Sequence, residues 1–229
     1  MGEAALRALN FDFDGVLLES SGIKTNAYRR VVGERFPDHV EAFLDHHRRN
    51  GGITRRVKLE YLVRELVKAP EEEVEGIVEE LVADYTEEVR KEVFSAALVP
   101  GTRELLSWAA GRFHTGLISG TPEKELLEVV THHGLKEFFE KIAGAPREKA
   151  PTLREWLEEW RVTPGEVLFV GDAVSDFHAA REVEVRFCLR ETPENALEFP
   201  EEVDRVKDMA ELKEKITREF LGEETASRR

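Results

Sequence analysis

The sequence predicts an α/β fold: a mainly parallel sheet with helices packed against it, and an all-helical second domain inserted directly after the first strand. Three observations lead there. Short apolar runs alternate with helical patterns along most of the chain, the signature of βα units. The stretch 18–97 breaks that alternation, with helical spacing throughout and no convincing strand. Two acidic pairs then stand at the ends of apolar runs, Asp12 and Asp14 in Asn10-Phe11-Asp12-Phe13-Asp14-Gly15-Val16, and Asp172 and Asp176 in Gly171-Asp172-Ala173-Val174-Ser175-Asp176. Open α/β sheets bind their ligands at this edge.

Taken in order, the first strand spans 6–13. Helices over 26–36, 40–49 and 57–67 and a long acidic helix from 71 to about 92 then fill the insert. Residues 18–97 therefore read as a helical cap domain over the strand edge, and 1–17 with 98–229 as the sheet-bearing core. The crossings near 18–22 and 95–100 are candidate hinges. Strands over 113–119, 142–145, 167–170 and 185–189 alternate with helices over 103–110, 123–133, 153–160 and 176–182. Pro100-Gly101, Thr121-Pro122 and Thr163-Pro164 supply the start and turn signals. The polar tail 223–229 reads as frayed.

Composition narrows the partners. The 229 residues, 41% of them hydrophobic, are enough for a packed core. Lys and Arg total 33 against 47 Asp and Glu, a net charge of −14 whose field repels nucleic acid and anionic membranes. A phosphate-bearing substrate then needs local cations. The lone Cys188 excludes an internal disulfide and fits a reducing compartment. No apolar run approaches the ~18 residues of a membrane helix, and the N-terminus lacks the apolar core of a signal peptide, so cytoplasmic residence is expected. The expected partner is a small phosphorylated metabolite, for a monomer or a homodimer.

Carboxylates gathered without basic neighbours repel one another, and a hard divalent cation relieves them. Mg2+ suits an all-oxygen setting with one or two direct carboxylates completed by waters and a phosphate oxygen.

Four segments, in order, resemble the haloacid dehalogenase-like phosphohydrolases, in the subclass with a helical cap after the first motif. They are Asp12-Phe13-Asp14-Gly15-Val16-Leu17, then Thr115-Gly116-Leu117-Ile118-Ser119-Gly120-Thr121, then Lys149, and finally Gly171-Asp172 through Asp176. The resemblance covers nearly the whole chain, in the branch of phosphoglycolate phosphatases and β-phosphoglucomutases, and implies a doubly wound, Rossmann-like parallel core.

It also implies roles. Asp12 would be the nucleophile that forms an aspartyl-phosphate, and Asp14 the acid and base, its pKa nudged upward by neighbouring carboxylates. Asp172, with Asp12 and the Asp14 backbone carbonyl, would hold Mg2+, and Asp176 would act through a water. Ser119 and Gly120 would clamp phosphate ahead of a helix N-terminus, with Lys149 supplying the positive charge. Lys149 lies in the polar loop Pro146-Arg147-Glu148-Lys149-Ala150-Pro151, where Arg147 is an alternative. An acid at position 14 favours a phosphate ester over a halide. The mutase branch typically carries a histidine where this chain has Lys24, which favours hydrolysis; Lys24 then either contacts an anionic substrate or is solvated. A phosphosugar mutase and a binding protein with a vestigial site are the alternatives.

In the cap, paired glycines interrupt a basic run, Arg48-Arg49-Asn50-Gly51-Gly52-Ile53-Thr54-Arg55-Arg56-Val57-Lys58. This is what a specificity loop facing the core requires, or a helix connection with solvated bases. The resemblance singles out Arg55 and Lys58, with Asn50 and Thr54 as polar helpers. His46 and His47 are adjacent, so on a helix they diverge and make a poor chelate.

Overall fold

Strand β1 (Ala8–Phe11) is buried along its whole length, and so is β4 (Val167–Gly171). Strands apolar on both faces belong inside a sheet covered from both sides. The computed structural model describes residues 5–192, 195 and 199–220; the tail 223–229 lies outside them. Its sheet runs in the order β3-β2-β1-β4-β5-β6, parallel throughout, with β2 at His114–Pro122, β3 at Lys141–Ala145, β5 at Arg186–Arg190 and β6 at Asp204–Val206. This is the doubly wound, Rossmann-like arrangement. The chain leaves β1 toward β2 and later returns to its other side at β4, so β1 and β4 flank the crevice where such sheets bind ligands.

The pleat sends Leu9 and Phe11 to one face and Ala8 and Asn10 to the other. Helices α5 (Thr102–Ala109), α6 (Glu123–His132) and α9 (Met209–Phe220) cover the first face with Leu105, Leu126, Val130 and Leu212. Helices α7 (Lys149–Trp160) and α8 (Val174–Val183) cover the second with Leu153, Trp156 and Ala180.

Between β1 and α5 lie α1 (Ser21–Arg35), α2 (Val40–Arg49), α3 (Arg55–Tyr61) and α4 (Glu71–Val93). They share an apolar interior in which Tyr28 stacks on Tyr85 at 3.9 Å between ring centroids, beside Phe43, Leu59 and Leu81. Where the sequence predicts one helix over 57–67, α3 passes into a π-helical turn, Leu62–Val67, which Lys68 ends at φ 56°. The two crossings run side by side: Glu19 N–H donates to the Ala97 carbonyl at 2.9 Å and Val99 N–H to that of Leu17 at 3.0 Å.

Two elements escape the sequence reading. β6 is three residues long, too short for a period, and α9 lies in a highly charged stretch. A third difference corrects an expectation: Lys149 is not in a loop but opens α7, four residues before position 153, because Pro151 falls in the first turn, where its missing N–H has no intrahelical acceptor to lose.

Asn10 is fully buried in the centre of the sheet, and neither amide atom has a hydrogen-bond partner. It fits there only because Gly116, its register partner on β2, has no side chain; a Cβ at 116 would lie 2.2 Å from Asn10 Oδ1. Leaving such a group unpaired costs about 1–3 kcal/mol. The near-isosteric Asn10→Leu is therefore expected to raise the unfolding free energy by about 1 kcal/mol or more, read as a higher urea midpoint at unchanged slope.

Candidate active site

Asp12 extends β1 by one residue, its N–H donating to the Val170 carbonyl of β4 at 2.9 Å. The chain then turns sharply at Gly15, at φ +76°, where a Cβ would lie 2.0 Å from Asp172 Oδ2. Only glycine lets the first turn pass this close to the acid that follows β4. Asp12, Asp172 and Asp176 each offer an oxygen within 4.8 Å of the others. The side chain of Asp14 points elsewhere. Its oxygens accept from Ser20 Oγ at 2.6 Å, Thr121 Oγ1 at 2.9 Å and Ser119 Oγ at 3.3 Å, and from the Lys24 ammonium on α1.

Lys149, buried at the start of α7, places Nζ 3.2 Å from Asp12 Oδ1 and in contact with Asp176 Oδ1. Asp176 also accepts from the Ala173 N–H at 3.1 Å through Oδ2, so it fastens the first turn of α8. Arg147 is turned outward onto Glu155.

Burial raises the Asp12 carboxyl to about 7 against the pull of Lys149, with Asp176 and Asp14 adding to the rise. Burial beside Asp12 and Asp176 raises Asp172 well above its ordinary value. Burial works against the Lys149 charge, yet Asp12 and Asp176 outweigh it and hold the ammonium above its ordinary range. For Asp14 the expectation of an upward shift is overturned: burial does push upward, but the Lys24 charge and the bonds from Lys24, Ser20 and Thr121 leave it below the ordinary value.

Three converging carboxylates, of which Asp12 and Asp172 have raised pKa values and against which the Lys149 ammonium is the cation in contact, fit a hard divalent cation. This is the cluster of metal-ligating side chains found among the described residues.

Above these acids lies a cavity of about 610 Å³, walled by the core and by α1–α3. Of the basic and polar residues expected there, Lys24, Arg55 and Lys58 line it, whereas Asn50 and Thr54 do not. Asn50 is spent on its own helix, donating to the His46 carbonyl at 2.8 Å, and Thr54 is the residue before α3. Arg55 is neutralised by Glu125 on α6, with bonds of 2.8 and 2.9 Å, and donates to Thr86 at 2.6 Å. Lys58 is buried and held by His47 Nδ1 at 2.9 Å. The two adjacent histidines diverge as their spacing predicts: His46 stacks on Tyr61 at 3.6 Å, while His47 turns toward Lys58.

The paired glycines have a steric reason. At Gly52, at φ +77°, a Cβ would lie 2.1 Å from Ser175 Oγ, and at Gly51 one would lie 2.8 Å from Ala173 Cβ. The Gly52 carbonyl in turn occupies the space a Cβ on Gly120 would need, at 2.6 Å. The insert thus touches the core backbone to backbone beside the acids.

Sequence reasoning did not single out Ser20, Thr121, Glu125 or Asn195. Thr121 was within reach, two residues after Ser119 on the same strand. Asn195 was not: its amide donates to the Arg190 carbonyl at 3.0 Å and to that of Asp172 at 2.9 Å, and the second contact, distant in the chain, has no local pattern.

A family model described as haloacid dehalogenase-like hydrolase matches residues 9–189. The chain is 31% identical to a phosphorylated carbohydrates phosphatase of Thermotoga maritima over 77% of its own length and 81% of the relative's. It is 28% identical to a phosphoglycolate phosphatase of Vibrio vulnificus over 79% and 82%. The solved β-phosphoglucomutase of Clostridium difficile superposes with a TM-score of 0.70 at 21% identity, covering 95% of this chain and 98% of that one, a likeness of fold.

With Asp12 raised to about 7, the cation-free folded chain keeps a proton that the unfolded chain releases near the ordinary value of 3.8, so stability falls as pH rises through that window. A divalent cation replaces that proton. Adding it is expected to raise the melting temperature more at pH 8 than at pH 5, and EDTA to reverse the gain, as read by calorimetry in buffers of matched ionic strength.

Proposed function

The chain belongs to the haloacid dehalogenase-like hydrolases, and on that premise we propose that it is a Mg2+-dependent phosphatase of the cytoplasm, hydrolysing a small phosphorylated metabolite through an aspartyl-phosphate on Asp12. The observation that carries this reading is the unequal treatment of two neighbouring acids: Asp12 meets the Lys149 ammonium, 3.2 Å from Oδ1, and no side-chain hydroxyl, while Asp14 is fastened by four side-chain donors. A carboxylate beside a single ammonium can attack phosphorus; one held by hydroxyls and an ammonium is placed to move a proton.

In the first step an Asp12 oxygen bonds to phosphorus as the ester P–O bond breaks, and the leaving oxygen takes a proton from Asp14. In the second, water attacks the phosphoryl group, Asp14 takes the water's proton, and phosphate and Asp12 are regenerated. The ionised Asp14 favoured by Lys24 suits the second step. The first requires Lys24 to turn from Asp14 onto the anionic substrate, which removes the charge that holds Asp14 down. Ser119 and the Gly120 amide bind phosphoryl oxygens, and Lys149 offsets their charge while keeping Asp12 and Asp176 together. Asp12, Asp172 and the Asp14 carbonyl would hold Mg2+, which when bound offsets the charge of carboxylates and phosphoryl oxygens.

Residues 18–97 are assigned as a cap domain that closes over the substrate on the paired crossings and excludes water. The phosphatase names of the relatives in Thermotoga and Vibrio support the reaction class. The lone, buried Cys188 suits a reducing compartment.

Phosphate release from a panel of phosphorylated metabolites is expected with Mg2+ and not with EDTA, and Asp12→Asn should lower it by at least ~1,000-fold, as loss of a nucleophile does. Release only in the presence of a sugar bisphosphate would indicate a mutase instead. Gly52→Ala, which sets a methyl group against Ser175 and strains the backbone at φ +77°, is expected to lower kcat/KM by about tenfold or more and the unfolding free energy by about 1–2 kcal/mol, read as a lower urea midpoint.

A further inference from the structure

Asp172 lies one residue beyond the end of β4, where the strand ladder no longer holds it. The register pairs Gly171 with Leu189, so the next residues in line are Asp172 and Arg190, the latter the last residue of β5. At that position a side chain takes over from the ladder. The Asn195 amide nitrogen donates to the Asp172 carbonyl at 2.9 Å and to the Arg190 carbonyl at 3.0 Å, one hydrogen to each. Its Oδ1 accepts from the Thr192 N–H at 2.7 Å. These partners fix which end of the amide is nitrogen, because an oxygen turned toward two carbonyls would meet only acceptors. Asn195 is 8% exposed, so the clamp is shielded from competing water.

The three acids of the cluster are held in different ways. Asp12 is fixed by its ladder bond to β4, and Asp176 by the first turn of α8 and by Lys149. Asp172 has neither, although the oxygens of both other acids lie within 4.8 Å of its own and repel it. Its carboxylate accepts from the Ser21 hydroxyl at 3.3 Å, an exposed bond that comes from the insert. On the core side its main chain is tied through Asn195. The other end of that tie is firm: Arg190 Nε donates to the Lys207 carbonyl at 3.1 Å, and its guanidinium pairs with Glu19 on the first crossing.

We propose that Asn195 is a positioning residue for divalent-cation binding: by clamping the main chain of Asp172 to the end of β5 it keeps that carboxylate beside Asp12, and so sets the affinity of the site for the ion. The inference rests on the reading of these acids as a cation site and adds to it a residue from a separate loop. Asn195 acts through main-chain carbonyls and is not itself a ligand. An oriented acid binds a cation more tightly than a freely turning one, because less of its motion is lost when the ion arrives.

The test is made on the whole chain without substrate, after circular dichroism has confirmed that each variant is folded. Mn2+, which suits the same carboxylate and water ligands as Mg2+, is titrated in and the free ion counted by its paramagnetic resonance, with Mg2+ read by competition. Asn195→Leu, which keeps the size and removes both donors, is expected to raise the dissociation constant by about 10- to 100-fold, the usual worth of a group that orients a ligand. Asn195→Ser, polar but too short to span both carbonyls, carries the same expectation should the leucine variant not fold. In turnover, the loss at low Mg2+ should shrink as Mg2+ is raised, with KM for the metabolite unchanged. A folded variant that binds the ion as tightly as wild type overturns the inference and leaves the cation site standing. So does a raised KM for the metabolite at unchanged ion affinity, which would make Asn195 a substrate contact. A wild type that binds neither ion overturns this inference and the cation reading together.

Discussion

Three carboxylates within 4.8 Å at a buried sheet edge set the terms for everything around them. Like charges this close repel strongly where water is excluded. The fold brings them together nonetheless, because β1 and β4 are adjacent in the sheet and each ends in an acid. Lys149 is the chain's own answer. Its ammonium sits between Asp12 and Asp176, and it is there because α7 begins on that residue. One cation does not balance three acids, so a further positive charge has a place waiting for it.

The second acid of the first motif belongs to a different circle. Asp14 is only two residues from Asp12, yet the pleat and the turn at Gly15 aim it toward Ser20, Lys24, Ser119 and Thr121. Two of those partners, Ser20 and Lys24, lie just beyond the first crossing into the helical insert or on its first helix. Asp14 is thus held jointly by core and insert, and its low pKa depends on Lys24 in the insert. The insert approaches this closely because Gly51, Gly52 and Gly120 present bare backbone where they meet.

The cationic side of the cavity follows the same logic with opposite sign. In a chain of net charge −14, most buried cations find a carboxylate. Arg55 does, across the boundary between α3 and α6, and so contributes to cohesion there instead of offering a free charge. Lys58, one helical turn further along α3, meets a histidine instead. The two residues look equivalent in the sequence, and their surroundings make them different.

Much was legible in the sequence by itself. Strands buried on both faces leave uninterrupted apolar runs, and helical spacing marks the insert, so the α/β architecture and most of its elements could be read directly. The acids of β1 and β4 were legible for the same reason: they stand at the ends of those runs, where strand direction alone places them on one edge. Tertiary structure decided what depends on contacts distant in the chain. It set Asp14 low through Lys24, seated Lys149 between two acids, turned Asn50 back onto its own helix and away from the cavity, and separated a neutralised Arg55 from an uncompensated Lys58. Local pattern records which face of an element is apolar, but a charge takes its properties from the nearest opposite charge, and in this fold that partner is supplied by another element.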